Sequence, residues 1–264
     1  MPIVAPYQRQ TSGRVLVFDA DALPWQATGK AGLRLKPVLN DDERGEYLGL
    51  VAFDPFVRSG LHQHQGVATS FVLMGGLTDY HGSLRLHEVG INVLGSTHDA
   101  IAYEPTVLVS RLEGPVTYPP EAGALTGLHA GSRHSVFRNP DPAQPPEVNV
   151  AIDLQPVMET GLPGVRRQPV FDYAGTGSNR RLVQCSIRPE TALPPWRASQ
   201  GVECWVRGGA ITINGQAAHA NSFIVIEAGA DVAIEASFGA LLLVWADGPE
   251  LWPSAGAGVN LFGF

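Results

Sequence analysis

His62-Gln63-His64 holds two imidazoles at i and i+2. In an extended segment both point to one face, because strand side chains alternate with a period of two. A single transition ion can then be gripped by both rings without bending the backbone. Further along, Leu94-Gly95-Ser96-Thr97-His98 sets a third histidine just after a glycine turn. Two histidines on one strand and a third on a neighbour make a three-nitrogen metal site, with positions left open for water, oxygen or a chelating ligand. Imidazole nitrogen suits iron, nickel, copper and zinc alike.

The remaining histidines weigh less. His87 reads as a solvated or strand-end residue and His219 as structural, and His129 and His134 form a weaker pair inside a Pro/Gly-rich connector. No nucleophile elbow, phosphate-binding loop or dinucleotide fingerprint is present in the sequence.

The elements that must position these residues repeat along the chain. Gly32-Leu-Arg-Leu-Lys-Pro-Val-Leu39 recurs as Gly164-Val-Arg-Arg-Gln-Pro-Val-Phe171. Further on, Pro55 pairs with Pro189, Gly75-Gly76 with Gly209-Ala210 and Gly95 with Gly229, all at an offset of 134 residues. Ordered matches at a nearly constant offset signify duplication. Two domains are expected, residues 1–155 with the histidines plus a connector, and residues 156–264.

Both halves consist of short β-prone runs punctuated by Gly, Pro and Asn, such as 47–53, 70–74, 106–111, 182–187, 203–206, 223–226 and 240–245. Asn214-Gly215 marks a tight hairpin. The fold class expected is all-β, as two small antiparallel barrels or jelly rolls. The stretch 115–164 carries dense Pro and Gly and reads as a long connector with a strand near 148–154.

Composition narrows the setting. The chain of 264 residues is 44% hydrophobic with a formal charge of −7, and it has no Lys/Arg cluster for a nucleic-acid partner. Two cysteines, Cys185 and Cys204, lie outside any CxxC unit, which suits reduced thiols and a cytoplasmic location. No signal peptide or membrane span is expected. The partner expected is a small molecule.

These features resemble the cupin superfamily, and specifically a bicupin of two tandem double-stranded β-helix domains. Gly60, His62, His64 and Gly75 or Gly76 match the first cupin motif, whose glutamate position holds Thr69. Gly95 and His98 match the second motif, with Val93 in place of its proline. The entry segment Ala22-Leu-Pro-Trp25, Gly32–Leu39 and Tyr47–Phe53 is similar to the branch containing ChrR-type zinc anti-sigma factors and 2,4'-dihydroxyacetophenone dioxygenases.

The resemblance implies a divalent transition metal on His62, His64 and His98, with iron expected for an oxygenase and Zn, Ni, Mn or Cu as alternatives. In the dioxygenase branch a carboxylate ligand comes from the strand after the glycine hairpin, a position that falls at or next to His81, which the resemblance offers as a fourth ligand. At offset 134 the second half has Trp196, Ala198 and Val232 in place of the three histidines, and only the motif glutamate is expected to survive, as Glu203.

That half keeps the fold without the site. A dioxygenase acting on a small diketone or hydroxy-ketone is one reading. A ligand- or redox-sensing cupin and a storage or structural bicupin are the others. Cupins commonly form homodimers through sheet edges, a pairing that two fused domains can also meet within one chain.

Overall fold

The computed structural model describes residues 6–8, 12–79, 82–118, 149–174, 176–253 and 258–264. Among them the secondary structure is β, apart from a single 3-10 turn at Ile152–Leu154. No helix there is long and apolar enough to cross a membrane. The chain divides into two compact units, one built on residues 24–153 and the other on residues 154–264 together with residues 12–23.

The duplication is visible in hydrogen-bonding order. In the first unit the large sheet runs Asn149–Ala151, Glu88–Asn92, Ala68–Met74, Thr106–Glu113, Glu46–Phe53, Leu33–Asp41 and Gln26–Ala27. In the second unit it runs Val15–Asp19, Ser222–Ile226, Val202–Ile213, Ile234–Ala246, Arg181–Ile187, Val165–Asp172 and Met158–Glu159.

Register agrees as well as order. Ser70 lies opposite Ser110 as Cys204 lies opposite Val244, and Ala68 opposite Asn92 as Val202 lies opposite Ile226. Each unit adds a three-stranded sheet. One has His62–His64 between Thr97–His98 and Val116–Thr117, the other Trp196–Ala198 between Asp231–Val232 and Glu250–Leu251.

The edge strands depart from the expected division. Val15–Asp19 precedes the first repeat but pairs with Ser222–Ile226 of the second. Asn149–Ala151 precedes the second repeat but pairs with Glu88–Asn92 of the first. Each repeat thus lends its leading strand to the other's sheet. Residues 12–23 therefore lie with the second unit, and the division differs from the expected 1–155 and 156–264. The strand near 148–154 is shorter than its apolar run, ending at Ala151 where the 3-10 turn begins.

Turn chemistry pins the hairpins. Asn214 and Gly215 both adopt positive φ, 46° and 77°, between Val202–Ile213 and Gln216–His219, as the primed turn requires. Gly75 has φ of 71°, and a Cβ there would come within 2.4 Å of the Thr106 hydroxyl oxygen; its repeat counterpart Gly209 has φ of 78° and even less room. Only glycine combines that conformation with that approach.

The interiors differ. The second barrel is filled by apolar side chains including Trp196, Ile211, Ile226, Val244 and Phe262, which leave only about 20 Å³. The first barrel is hollow, with a cavity of about 380 Å³. Cys185 and Cys204 are free and buried in the second core, and burial pushes both thiols well above their ordinary range.

Candidate metal centre

The site stands on the small sheet of the first unit. His62 and His64 are buried while Gln63 between them is half-buried, as alternation requires. His98 lies directly opposite His62 on the adjacent antiparallel strand. Strand pairing therefore brings together three rings whose centroids lie 4.6 to 5.1 Å apart.

The nitrogens converge. His98 Nε2 is 3.1 Å from His64 Nε2 and 3.1 Å from His62 Nε2. His62 Nδ1 lies 2.6 Å from the Gly60 carbonyl oxygen, so Nδ1 carries the hydrogen and Nε2 presents a lone pair in the neutral ring. One hydrogen on His98 Nε2 can serve only one of its two neighbours. A shared cation satisfies all three, because metal–nitrogen bonds of about 2.1 Å at 90–109° set nitrogens about 3.0–3.4 Å apart.

Burial and neighbouring charge disfavour the protonated forms of His62 and His64. Desolvation, then the neighbouring His98, lowers His62 to about 4, with the Gly60 carbonyl and Asp99 acting in the opposite direction. Desolvation followed by its two histidine neighbours holds His64 well below the ordinary imidazole range. Neutral imidazole is the form that binds metal.

Carboxylates support the ligands from outside. Asp99 is buried, pairs with Arg58 and accepts the Gly60 N–H at 3.0 Å, so it fixes the residue whose carbonyl orients His62. Asp79, on the strand after the glycine hairpin, has a carboxylate oxygen 3.9 Å from the buried His98 Nδ1, which has no hydrogen-bond partner among the described residues. That separation is an electrostatic contact, too long for a hydrogen bond.

Two sequence expectations require correction. Ala68 and Ser70 line the same cavity as the histidines, so Thr69 between them faces the other side of the sheet. The inward position at the motif glutamate is therefore Ala68, and it too lacks a carboxylate. In the second unit Val202 and Cys204 belong to the apolar interior, so Glu203 between them faces outward and is no surviving ligand.

His81 lies outside the described residues, as do His129 and His134. His87 adopts positive φ and stacks on Phe71 at 6.0 Å, a structural role. His219 is exposed, with Nδ1 3.0 Å from the Ala220 carbonyl. Asp79 and Asp99 escaped the sequence reading. Asp79 lies in the strand where a further ligand was sought, two residues before His81, and Asp99 directly follows His98.

Residues 13–117 match the ChrR Cupin-like domain. No curated protein matches the sequence. The structure is similar to a candidate dioxygenase from Nostoc punctiforme, with a TM-score of 0.70 and 11% identity over 95% of this chain and 87% of that one. It is also similar to salicylate 1,2-dioxygenase from Pseudoaminobacter salicylatoxidans, with a TM-score of 0.64 and 13% identity over 92% and 83%. Oxalate decarboxylase from Bacillus subtilis gives a TM-score of 0.58 and 12% identity over 90% and 77%. The chain therefore has the all-β tandem cupin fold, and its first half carries the ChrR Cupin-like match.

Proposed function

We propose that the first barrel is the active site of a metal-dependent oxygenase acting on a small diketone, hydroxy-ketone or related molecule. His62, His64 and His98 hold a divalent transition metal, with iron the choice for oxygen chemistry. The observation that carries this reading is the convergence of three Nε2 atoms on the wall of a cavity of about 380 Å³. A closed structural metal site would have no such space beside it.

When bound, the metal supplies Lewis acidity and electron transfer to dioxygen. The protein residues do the rest. Three neutral ligands without a carboxylate leave the ion's charge uncompensated and its remaining positions open to a chelating oxygen pair. Leu33, Val51, Phe53, Leu77 and Leu108 give the cavity an apolar wall. Cleavage of a C–C bond with both oxygen atoms entering the two fragments needs no external reductant. The proposal keeps His81 as a fourth ligand or substrate-orienting group.

The ChrR Cupin-like match supports a second reading, a ligand- or redox-sensing metal cupin. Metal analysis of the purified protein followed by oxygen uptake with diketones and aryl hydroxy-ketones separates the two. Metal at about one ion per chain with substrate-dependent oxygen uptake supports the oxygenase. Metal without uptake supports the sensor, and no metal after incubation with Fe(II) or Zn(II) defeats both in favour of a structural bicupin. His81→Ala in the same assay tests the fourth ligand.

A further inference from the structure

Among the polar side chains that line the histidine-bearing cavity, three neutral ones stand together on the large sheet. Asn92, Ser70 and Ser110 come from three adjacent strands and all face that cavity. Ser70 and Ser110 lie directly opposite each other, with hydroxyl oxygens 2.9 Å apart. One hydroxyl hydrogen joins them, which leaves the other hydrogen for a ligand. Asn92 is diagonal to Ser70, because Ser70 pairs with Gly90 and Asn92 lies two residues further on. Its carboxamide oxygen is buried and has no hydrogen-bond partner among the described residues.

A buried carboxamide needs hydrogen-bonding partners, so one that faces this cavity calls for a polar group within it. The duplication supplies a control. At offset 134 the three positions become Ile226, Cys204 and Val244, and all three line the filled interior of the second barrel. Register confirms the equivalence, since Cys204 faces Val244 and Val202 faces Ile226. The polar trio thus accompanies the histidines, while the barrel without histidines is apolar at the same three places. The fold itself does not require these groups.

Charge narrows the ligand. Among the described residues no Lys or Arg lines the cavity, whereas Asp41, Asp42, Glu46 and Asp79 do. Lys30, whose charge is felt at His62, is not a lining residue. Among the described lining residues a carboxylate substrate would meet Asp41, Asp42 and Asp79 and no cationic side chain.

We infer that Asn92, Ser70 and Ser110 form a neutral hydrogen-bonding clamp that selects an uncharged, largely apolar substrate bearing hydroxyl or carbonyl groups over an anionic analogue. This rests on the reading of the first barrel as the substrate site. Asn92 is a positioning residue, with a carboxamide that offers both donor and acceptor. The serine pair offers one free hydroxyl hydrogen and the remaining lone pairs.

The test uses a matched pair of probes, ortho-hydroxyacetophenone and salicylate, which differ by an acetyl group against a carboxylate. Calorimetric titration of the Zn(II)-loaded protein avoids oxidation of the ketone. The ketone is expected to bind at least about tenfold more tightly than salicylate, and Asn92→Leu to weaken it about tenfold while salicylate changes little. Metal content and Tm should hold in Asn92→Leu, because Ile226 shows that the fold accepts an aliphatic residue there.

Ser70→Ala is the second variant, expected to act in the same direction. Tighter binding of salicylate, or equal ketone affinity in both variants and the wild type, overturns the clamp. A protein that takes up no metal defeats the metal reading instead. The titration is then run on the metal-free protein, where weakening by Asn92→Leu is still expected and its absence overturns the clamp.

Discussion

Trp196 occupies in the second barrel the strand position that His62 holds in the first: Trp196 lies opposite Val232 as His62 lies opposite His98. The indole packs against Trp252 and Phe262 and fills the space that the first barrel leaves open. Binding chemistry and core packing thus compete for the same inward positions. A barrel floored by imidazoles keeps room for a ligand, and one floored by tryptophan gains the stability of a filled core.

The first prediction follows from that division of labour. His64→Ala should abolish metal binding, since it removes one of three converging nitrogens. Glu203→Ala, on the outward face of the second barrel, should leave metal content unchanged. Trp196→Ala should also leave metal content unchanged while lowering stability by about 3–5 kcal/mol, the cost of a large cavity in a filled core. Elemental analysis and chemical denaturation read the two effects separately. Equal metal loss in His64→Ala and Glu203→Ala would place the site in the wrong barrel.

Proton binding gives a second prediction. His62 is lowered to about 4 by burial, so the native chain holds fewer protons than the unfolded chain between about pH 6.5 and pH 4. Stability must therefore fall as pH drops through that window, by about 3 kcal/mol for this group. His64, also held low by burial, adds to the loss in the same direction. Denaturation of chelator-treated protein across the window checks the sign. His62→Gln should flatten the slope, and a steady or rising stability toward pH 4 would contradict a buried, neutral His62 and His64.

Asp99 carries a third prediction. It fastens Gly60, and the Gly60 carbonyl fixes the hydrogen on His62 Nδ1. Asp99→Ala should weaken metal affinity about 10–100-fold, the usual penalty for removing the group that orients a ligand. Competition with a metal-sensitive chelator measures it. Unchanged affinity would show that the Gly60 carbonyl stays in place without the carboxylate.

Much of this architecture was legible because it follows from local chemistry. The i, i+2 spacing of His62 and His64 fixes a common face, and Asn214-Gly215 fixes a turn. The constant offset exposed the duplication and the loss of ligands at Trp196, Ala198 and Val232. What stayed hidden depends on register and pairing. Whether position 68 or 69 faces inward turns on a single residue of strand phase, and a slip of one residue reverses every side chain. The exchange of Val15–Asp19 and Asn149–Ala151 between repeats is a matter of partner choice, to which hydrophobic pattern is blind. Asp79 sits in sequence 19 residues before His98, and only strand pairing makes them neighbours.

The phase of that strand supplies the last prediction. If Ala68 is the inward position, Ala68→Glu directs a carboxylate toward the three imidazoles and converts a three-nitrogen site into a three-nitrogen, one-oxygen site. Its negative charge offsets one unit of the ion's charge, so metal affinity should rise and the site should lose one open position. Oxygen uptake, where present, should fall accordingly. Thr69→Glu places the same group on the opposite face, where Thr69 is fully buried opposite the buried Arg111. There it gives no gain in metal binding, and the desolvation of a carboxylate crowded into a packed layer is offset only in part by pairing with Arg111. Metal affinity and Tm measured on both variants discriminate cleanly: tighter binding by Thr69→Glu and none by Ala68→Glu would reverse the phase of the strand and, with it, the set of residues facing the cavity.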